Sequence, residues 1–527
     1  MKRFSPPSIA LLAAILGIPG ISGCRSAPDP QIKMIPPPRV ELSPPPVTLP
    51  APSIEVVSLP GPSHPNVAIR IAFRAGAADD PPGREGITAL AAEVMAEGGT
   101  EKLTSAEIHR ALYPMAAEID AQTDEEMTVF AGRVHKDHLA RFLPILVDAV
   151  AHPRWDPKEF ERLREDALND VERRLRTSDD ENLGKAALQW LLYGRHPYGH
   201  YEGGSVAALK AVTLDELKAH AQKVFTRSRL IIGVAGGYPA GTEDQIQQIL
   251  ASLPIGDLPS ARIPPAPPQN EPRVLLVEKE ADSIAISMGH PYMLRRGDSD
   301  FPAMRLALSA FGEHRQFNGR LMDRLRSVRG LNYGDYAYVE SFVQDGGTTY
   351  PEPNVPRTFQ MFSIWVRPVE EKNALFALRA ALYETQKLVT DGLSKEEVER
   401  TKKFLAGYSL LFTQTDARRL GFAMDDRFYK TPDYQKSMRE GFTNATVEQV
   451  NSAIRKWIDP KQLHIVLVTR DAAKTKRELL SGAPTPIHYD VTVPKAVLDE
   501  DKRIESMPLG LKESDIEVVK AGELFEK

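Results

Sequence analysis

The sequence holds a single cysteine, Cys24, among 527 residues. One thiol closes no intramolecular disulfide and builds no thiolate metal site, so both devices are excluded. Long apolar runs are equally scarce. "IALLAAILGIPGI", Ile9 to Ile21, is too short to cross a bilayer as a stable helix, and no later segment has the length and apolarity to do so. A surplus of positive charge is also missing. Lysine and arginine number 66 against 71 acids, giving a net charge of −5, and the two signs are interspersed. A nucleic-acid binder would show a basic face, so no nucleic-acid partner is expected.

What is present begins with punctuation at the N-terminus. Lys2 and Arg3 precede the apolar run, and "ISGC" places small residues just before Cys24. This pattern resembles a bacterial lipoprotein signal with its lipobox. The resemblance implies a signal peptide over 1–23 and lipidation of Cys24. Residues 24–53 are dense in proline and form an extended, polyproline-like tether in this reading. The expected location is the bacterial cell envelope, lipid-anchored and periplasm-facing. Arg25 after the cysteine favours the outer over the inner membrane.

The rest of the chain is too long for one hydrophobic core and divides at a second proline-rich stretch, residues 254–272. The two parts, 54–253 and 273–480, follow one plan, and 481–527 extends beyond it. "TLDELKAHAQKVFTRSRLIIGVAGG", Thr213 to Gly237, aligns without a gap against "TVEQVNSAIRKWIDPKQLHIVLVTRD", Thr446 to Asp471. Each begins with a threonine suited to cap an amphipathic helix and ends in a β-branched run. Upstream, "EFERLREDAL" and "EVERTKKFLAG" place Glu161-Arg162 and Glu399-Arg400 at matching points. The expected fold is α+β: two homologous sandwich domains, each a mixed sheet covered by helices.

"GREGITALAAEVMAEGGT", Gly83 to Thr100, reads as a helix entered after a glycine and stopped at a glycine pair, with Glu93 set among alanines, Leu90 and Val94. Together with "FERLREDALNDVE", "YGRHPYGHYEGG" and "RLMDRLRSVRGLNYGDYAYVE", it resembles the insulinase-like, pitrilysin-type (M16) zinc peptidases over about Glu55 to Asp471. In that family this helix carries His-x-x-Glu-His, two imidazoles on one helical face with a glutamate to deprotonate the metal-bound water. A glutamate from a later long helix completes the ligand set. Gly99-Thr100 fixes the register. The first histidine position falls on Leu90, the glutamate on Glu93, the second histidine on Val94, and the third ligand on Asp170. Two carboxylates bind a hard cation weakly and do not make a tetrahedral zinc site. No metal or other cofactor is therefore expected in this chain. A non-standard metal held by Glu93 and Asp170 is the lesser alternative.

Other histidine pairs do not replace the lost imidazoles. His196 and His200 lie in a turn broken by Pro197 and Gly199, and His135 and His138 read as solvated. His314 departs from the glycine-rich turn that the resemblance places there. Arg326 and Tyr333, by contrast, stand at the spacing of the family pair that holds the substrate backbone or its terminal carboxylate beside the zinc of a second half-site. A planar guanidinium and a phenolic donor suit that task. The resemblance thus implies a non-catalytic subunit that grips a peptide substrate and pairs with a homologue bearing the zinc motif and its zinc. The alternative is a scaffold of the same fold without proteolytic role. Ser341 to Gln360 is expected to form a hairpin at the chamber mouth, and 488–527 to pack on the body or on a partner.

Overall fold

The computed structural model describes residues 54–257, 263–269, 271–344, 348–489 and 492–527. The signal, Cys24 and the tether lie outside the described residues. Eleven strands appear among the described residues: β1 (Glu55–Pro60), β2 (Asn66–Phe73), β3 (Glu118–Thr123), β4 (Thr128–His135), β5 (Leu230–Gly236), β6 (Val274–Glu278), β7 (Ser283–Tyr292), β8 (Asp335–Tyr338), β9 (Gln360–Glu370), β10 (His464–Thr469) and β11 (Ile516–Lys520).

They form two mixed sheets. The first runs β1-β5-β2-β4-β3 and the second β11-β6-β10-β7-β9-β8. Without β11 the two orders are the same, element for element. Polarity repeats too: β1 lies parallel to β5 as β6 does to β10, and the remaining neighbours are antiparallel. Capping explains why the matching sequence segments fold alike. Thr213 and Thr446 each accept a hydrogen bond from the backbone N–H three residues on, and Glu216 and Gln449 reciprocate, a capping box at both places.

Each sheet is covered on one face by helices of its own half and on the other by a helix of the opposite half. The Asp180–Tyr193 helix of the first half lies on β7 and β10, and the Asp416–Tyr429 helix of the second half lies on β1, β2 and β5. Leu420 and Met424 bury themselves against Ala68, Ala72, Ile231 and Ala235. Gly233 makes this approach possible, because a Cβ there would sit 2.5 Å from the Met424 sulfur. Each half therefore completes the core of the other.

The segment expected as a chamber-mouth hairpin corrects that expectation. Residues 353–357 and 359–360 are buried between the halves. Arg357 grips Asp124 through two nitrogens at 2.7 and 3.1 Å and donates to Gln189 at 3.0 Å. Asn354 accepts from Arg70 of β2 at 2.7 Å and donates from its backbone to Asp425. Asp425 also receives Arg296, which holds Glu340. Breaking one partner of such a buried charged network costs about 3–5 kcal/mol, since the remaining charge stays out of water. Sequence charge alone could not reveal it, because the partners lie far apart along the chain.

The C-terminal extension packs on the body. Its Lys495–Glu505 helix lies against the Glu371–Asp391 helix, and β11 adds a parallel strand beside β6. The chain then crosses to the first half. There the buried Arg176 guanidinium donates to the Leu524 carbonyl at 2.7 Å and pairs with Glu526 at 3.1 Å.

Candidate functional site

The helix of the first motif spans Ile87–Glu97, with Gly86 before it and Gly98 after it. Its first turn is held from outside the helix. The Asp80 carboxylate accepts the Gly86 N–H at 2.6 Å and the Thr88 N–H at 3.0 Å, satisfying donors that a helix start leaves open. His200 reaches Asp80 at 3.3 Å and His220 reaches the Thr88 hydroxyl at 2.7 Å. Burial works against charge on His200, but Asp80 outweighs it and raises its pKa. His196 faces away and meets the Pro264 carbonyl at 2.7 Å. The two histidines of this turn thus serve separate polar contacts and do not converge.

Leu90 and Val94 are buried, at 1% and 0% exposure, inside the core of the first half. Glu93, on the same helix, is half-buried and takes part in a polar interaction of its own. Asp170 heads a π-helical segment, Asp170–Ser178, where the preceding helix Pro157–Asn169 changes pitch. Arg174 grips both carboxylate oxygens of Asp170, one at 2.6 Å, and the Tyr201 hydroxyl adds a contact at 3.2 Å. Burial alone would raise the Asp170 pKa; Arg174 and Tyr201 bring it below the ordinary carboxylate value. The donor set does not fit zinc. Two of the three ligand positions, Leu90 and Val94, are aliphatic and buried, and the third, Asp170, is committed to a guanidinium. Among the described residues no group of three histidine, cysteine or acid side chains is arranged to hold a metal ion.

The second motif is also built on a π-helical turn, Met322–Ser327, which ends where Gly330 takes a positive φ of 67° and turns the chain toward β8. Four arginines project from this stretch. Arg320 pairs with Glu397 at 2.8 Å, Arg324 with Glu500 and Glu384, and Arg329 with Glu500 and Asp501 at 2.8 Å each. Two of the four are thus tied to the C-terminal extension. Arg326 alone among them has no carboxylate partner among the described residues. Its guanidinium lies 4.8 Å over the Phe317 ring and 3.9 Å from the Met322 sulfur. Tyr333 is 81% exposed. No hydrogen bond or cation–π contact joins Arg326 to Tyr333; the turn presents both from one short segment. Phe317, 69% exposed, belongs to the same surface and was not evident from the sequence, where it stands in an irregular polar stretch.

His314, which the sequence left without a role, is buried beneath this surface. It bonds the Tyr338 hydroxyl at 2.5 Å and lies among Tyr336 and Phe342. Burial and nearby cations push its pKa down to about 3, so it is neutral and part of the core. Asp335, at the start of β8, is fully buried and its pKa is pushed up to about 8 by that burial, against the pull of Asn332 and Arg326.

Comparison with known proteins agrees with this arrangement. Residues 55–197 match the family described as Insulinase (Peptidase family M16), and residues 211–405 match the Peptidase M16 inactive domain. A protein of Helicobacter pylori named non-peptidase homolog YmxG is 20% identical over 404 residues, 76% of this chain and 88% of that protein. The mitochondrial-processing peptidase subunit beta of Neurospora crassa is 26% identical over 155 residues, 29% of this chain and 32% of that protein. Among solved structures, a peptidase M16 inactive domain from Pseudomonas fluorescens superimposes with a TM-score of 0.70 at 22% identity, covering 79% of this chain and 95% of that one. Matched in both halves and carrying the two-domain fold of such proteins, the chain belongs to the insulinase-like M16 peptidase family.

Proposed function

We propose that this chain is a non-catalytic M16 subunit that grips peptide substrate for a zinc-bearing homologue, held in the bacterial envelope through a lipidated Cys24. One contrast carries the reading. The metal-register positions are filled by buried Leu90 and Val94, and Asp170 is taken by Arg174. On the other half, Arg326 lacks a carboxylate partner among the described residues, and Tyr333 stands in solvent. A guanidinium and a phenol there can hold a peptide carbonyl or carboxylate and steady negative charge developing on a neighbouring chain's substrate. The names of two relatives, a non-peptidase homolog and a peptidase subunit, fit such a division of labour.

The test has two arms. The chain purified alone is expected to cleave no peptide and to hold far less than one zinc per chain. One equivalent of zinc, with cleavage lost in Glu93→Gln, overturns the reading. Recovered from its native envelope, the chain is expected to carry along a homologue with an intact His-x-x-Glu-His. Recovery without any such homologue, and a cellular peptidase activity indifferent to Arg326→Gln, points to the scaffold instead.

A further inference from the structure

The Arg326 surface carries more than the arginine and tyrosine pair. Phe317 lies beneath the guanidinium and is itself 69% exposed, so its ring is open to a ligand as well as to Arg326. Arg315, two residues earlier, likewise has no carboxylate partner among the described residues, and its backbone φ of 53° projects it from a tight turn. Arg326, without an acid partner among the described residues, therefore stacks on one exposed aromatic ring, and Arg315 precedes that ring by two residues. Asp335 is a buried acid that feels the Arg326 charge, and burial keeps it largely protonated near neutral pH, so it does not neutralise the guanidinium. An apolar ring beside an unneutralised arginine complements a carboxylate that sits next to an apolar side chain.

Resting on the gripping role proposed above, we infer that Phe317 is a specificity-determining residue: it selects peptides with an apolar side chain adjacent to the carboxylate that Arg326 holds. That carboxylate belongs either to the chain terminus or to an aspartate or glutamate, and both present the same chemistry to the arginine. The ring does two things. It fixes the guanidinium by stacking, which limits the freedom lost on binding, and it supplies the apolar wall against which the neighbouring side chain lies.

Four fluorescein-labelled hexapeptides of otherwise identical Gly/Ala/Ser sequence test this on the full chain by fluorescence anisotropy: one ending in Phe with a free carboxylate, its C-terminal amide, one ending in Ser with a free carboxylate, and an amide with Asp before a final Phe. The Phe acid is expected to bind about tenfold more tightly than the Ser acid and at least as much more tightly than the Phe amide. Binding of the Asp-Phe amide at the level of the Phe acid identifies a side-chain carboxylate as an equal source; weak binding identifies the chain terminus. Phe317→Ala is expected to erase the Phe-over-Ser preference, and Phe317→Leu to restore most of it. Arg326→Gln is expected to erase the acid-over-amide preference. Phe317 is exposed, so its replacement does not threaten folding, and Tyr113→Ala, at a residue 87% exposed in the first half, is the control expected to change neither preference. If Arg326→Gln weakens acid binding while Phe317→Ala leaves the Phe-over-Ser ratio untouched, the inference about Phe317 fails and the grip stands. If no peptide shows saturable binding up to about 1 mM, or Arg326→Gln changes nothing, the grip itself fails and this inference with it.

Discussion

The two halves share one strand order and have opposite fates at the same kind of place. In each, one residue of interest sits on a π-helical turn, a local widening that re-aims side chains: Asp170 at the head of Asp170–Ser178, Arg326 within Met322–Ser327. In the first half the residues at the metal register are turned inward or spoken for. Leu90 and Val94 are core, and Asp170 is clamped by Arg174 and Tyr201. In the second half Arg320, Arg324 and Arg329 are paired with acids, while Arg326, Phe317 and Tyr333 remain at the surface. The difference teaches how a site is recognised in a repeated fold: by polar groups that the protein leaves unsatisfied by itself.

Restoring the lost chemistry is the harshest way to break this comparison. Leu90→His with Val94→His places two imidazoles in an apolar core, and the pair is expected to destabilise the chain by about 4 kcal/mol or more, measured by chemical denaturation. Native stability together with one bound zinc would show that the first half is a working site in waiting.

A gentler test addresses the seam between the halves. Glu125 is fully buried there beside Asp124, Arg357, His200 and Glu202, and burial pushes its pKa up to about 8. The unfolded value is roughly 4.3. Between these values the folded chain binds more protons than the unfolded one, so this group makes stability fall as pH rises through that window. Glu125→Gln is therefore expected to match the parent near pH 4 and to exceed it increasingly up to about pH 8. Denaturation midpoints across that range decide the matter; a constant gap would mean that Glu125 is charged throughout.

The smallest effect is expected on the exposed side. Tyr333→Phe and Arg326→Gln should each change folding stability by about 0.5 kcal/mol or less, as surface substitutions do. A loss of several kcal/mol from either would make it a structural residue and remove the contrast.

Much of this was readable in the chain. Thr213 and Thr446 announce their capping boxes, the glycine pair stops the Ile87–Glu97 helix, and "HPYGH" forms the expected turn. These are local signals, set within a few residues. The exchange of helices was not legible, because an apolar face does not state which sheet it covers. The role of residues 353–360 was missed for a related reason: prolines and polar residues suggested exposure, and their partners, among them Arg70, Asp124, Gln189 and Asp425, lie far away in sequence. Phe317 gave no periodic signal at all. The exposed aromatic and Arg326 are joined only by the fold.

The mutual insertion of the Asp180–Tyr193 and Asp416–Tyr429 helices has a consequence for ancestry. A lobe whose hydrophobic interior is lined by its twin cannot be discarded when its own chemistry lapses, because the twin would be left with a bare sheet. Inheritance of both lobes is then enforced by architecture, and substitution within either is free to run only where the shared interior permits another greasy side chain.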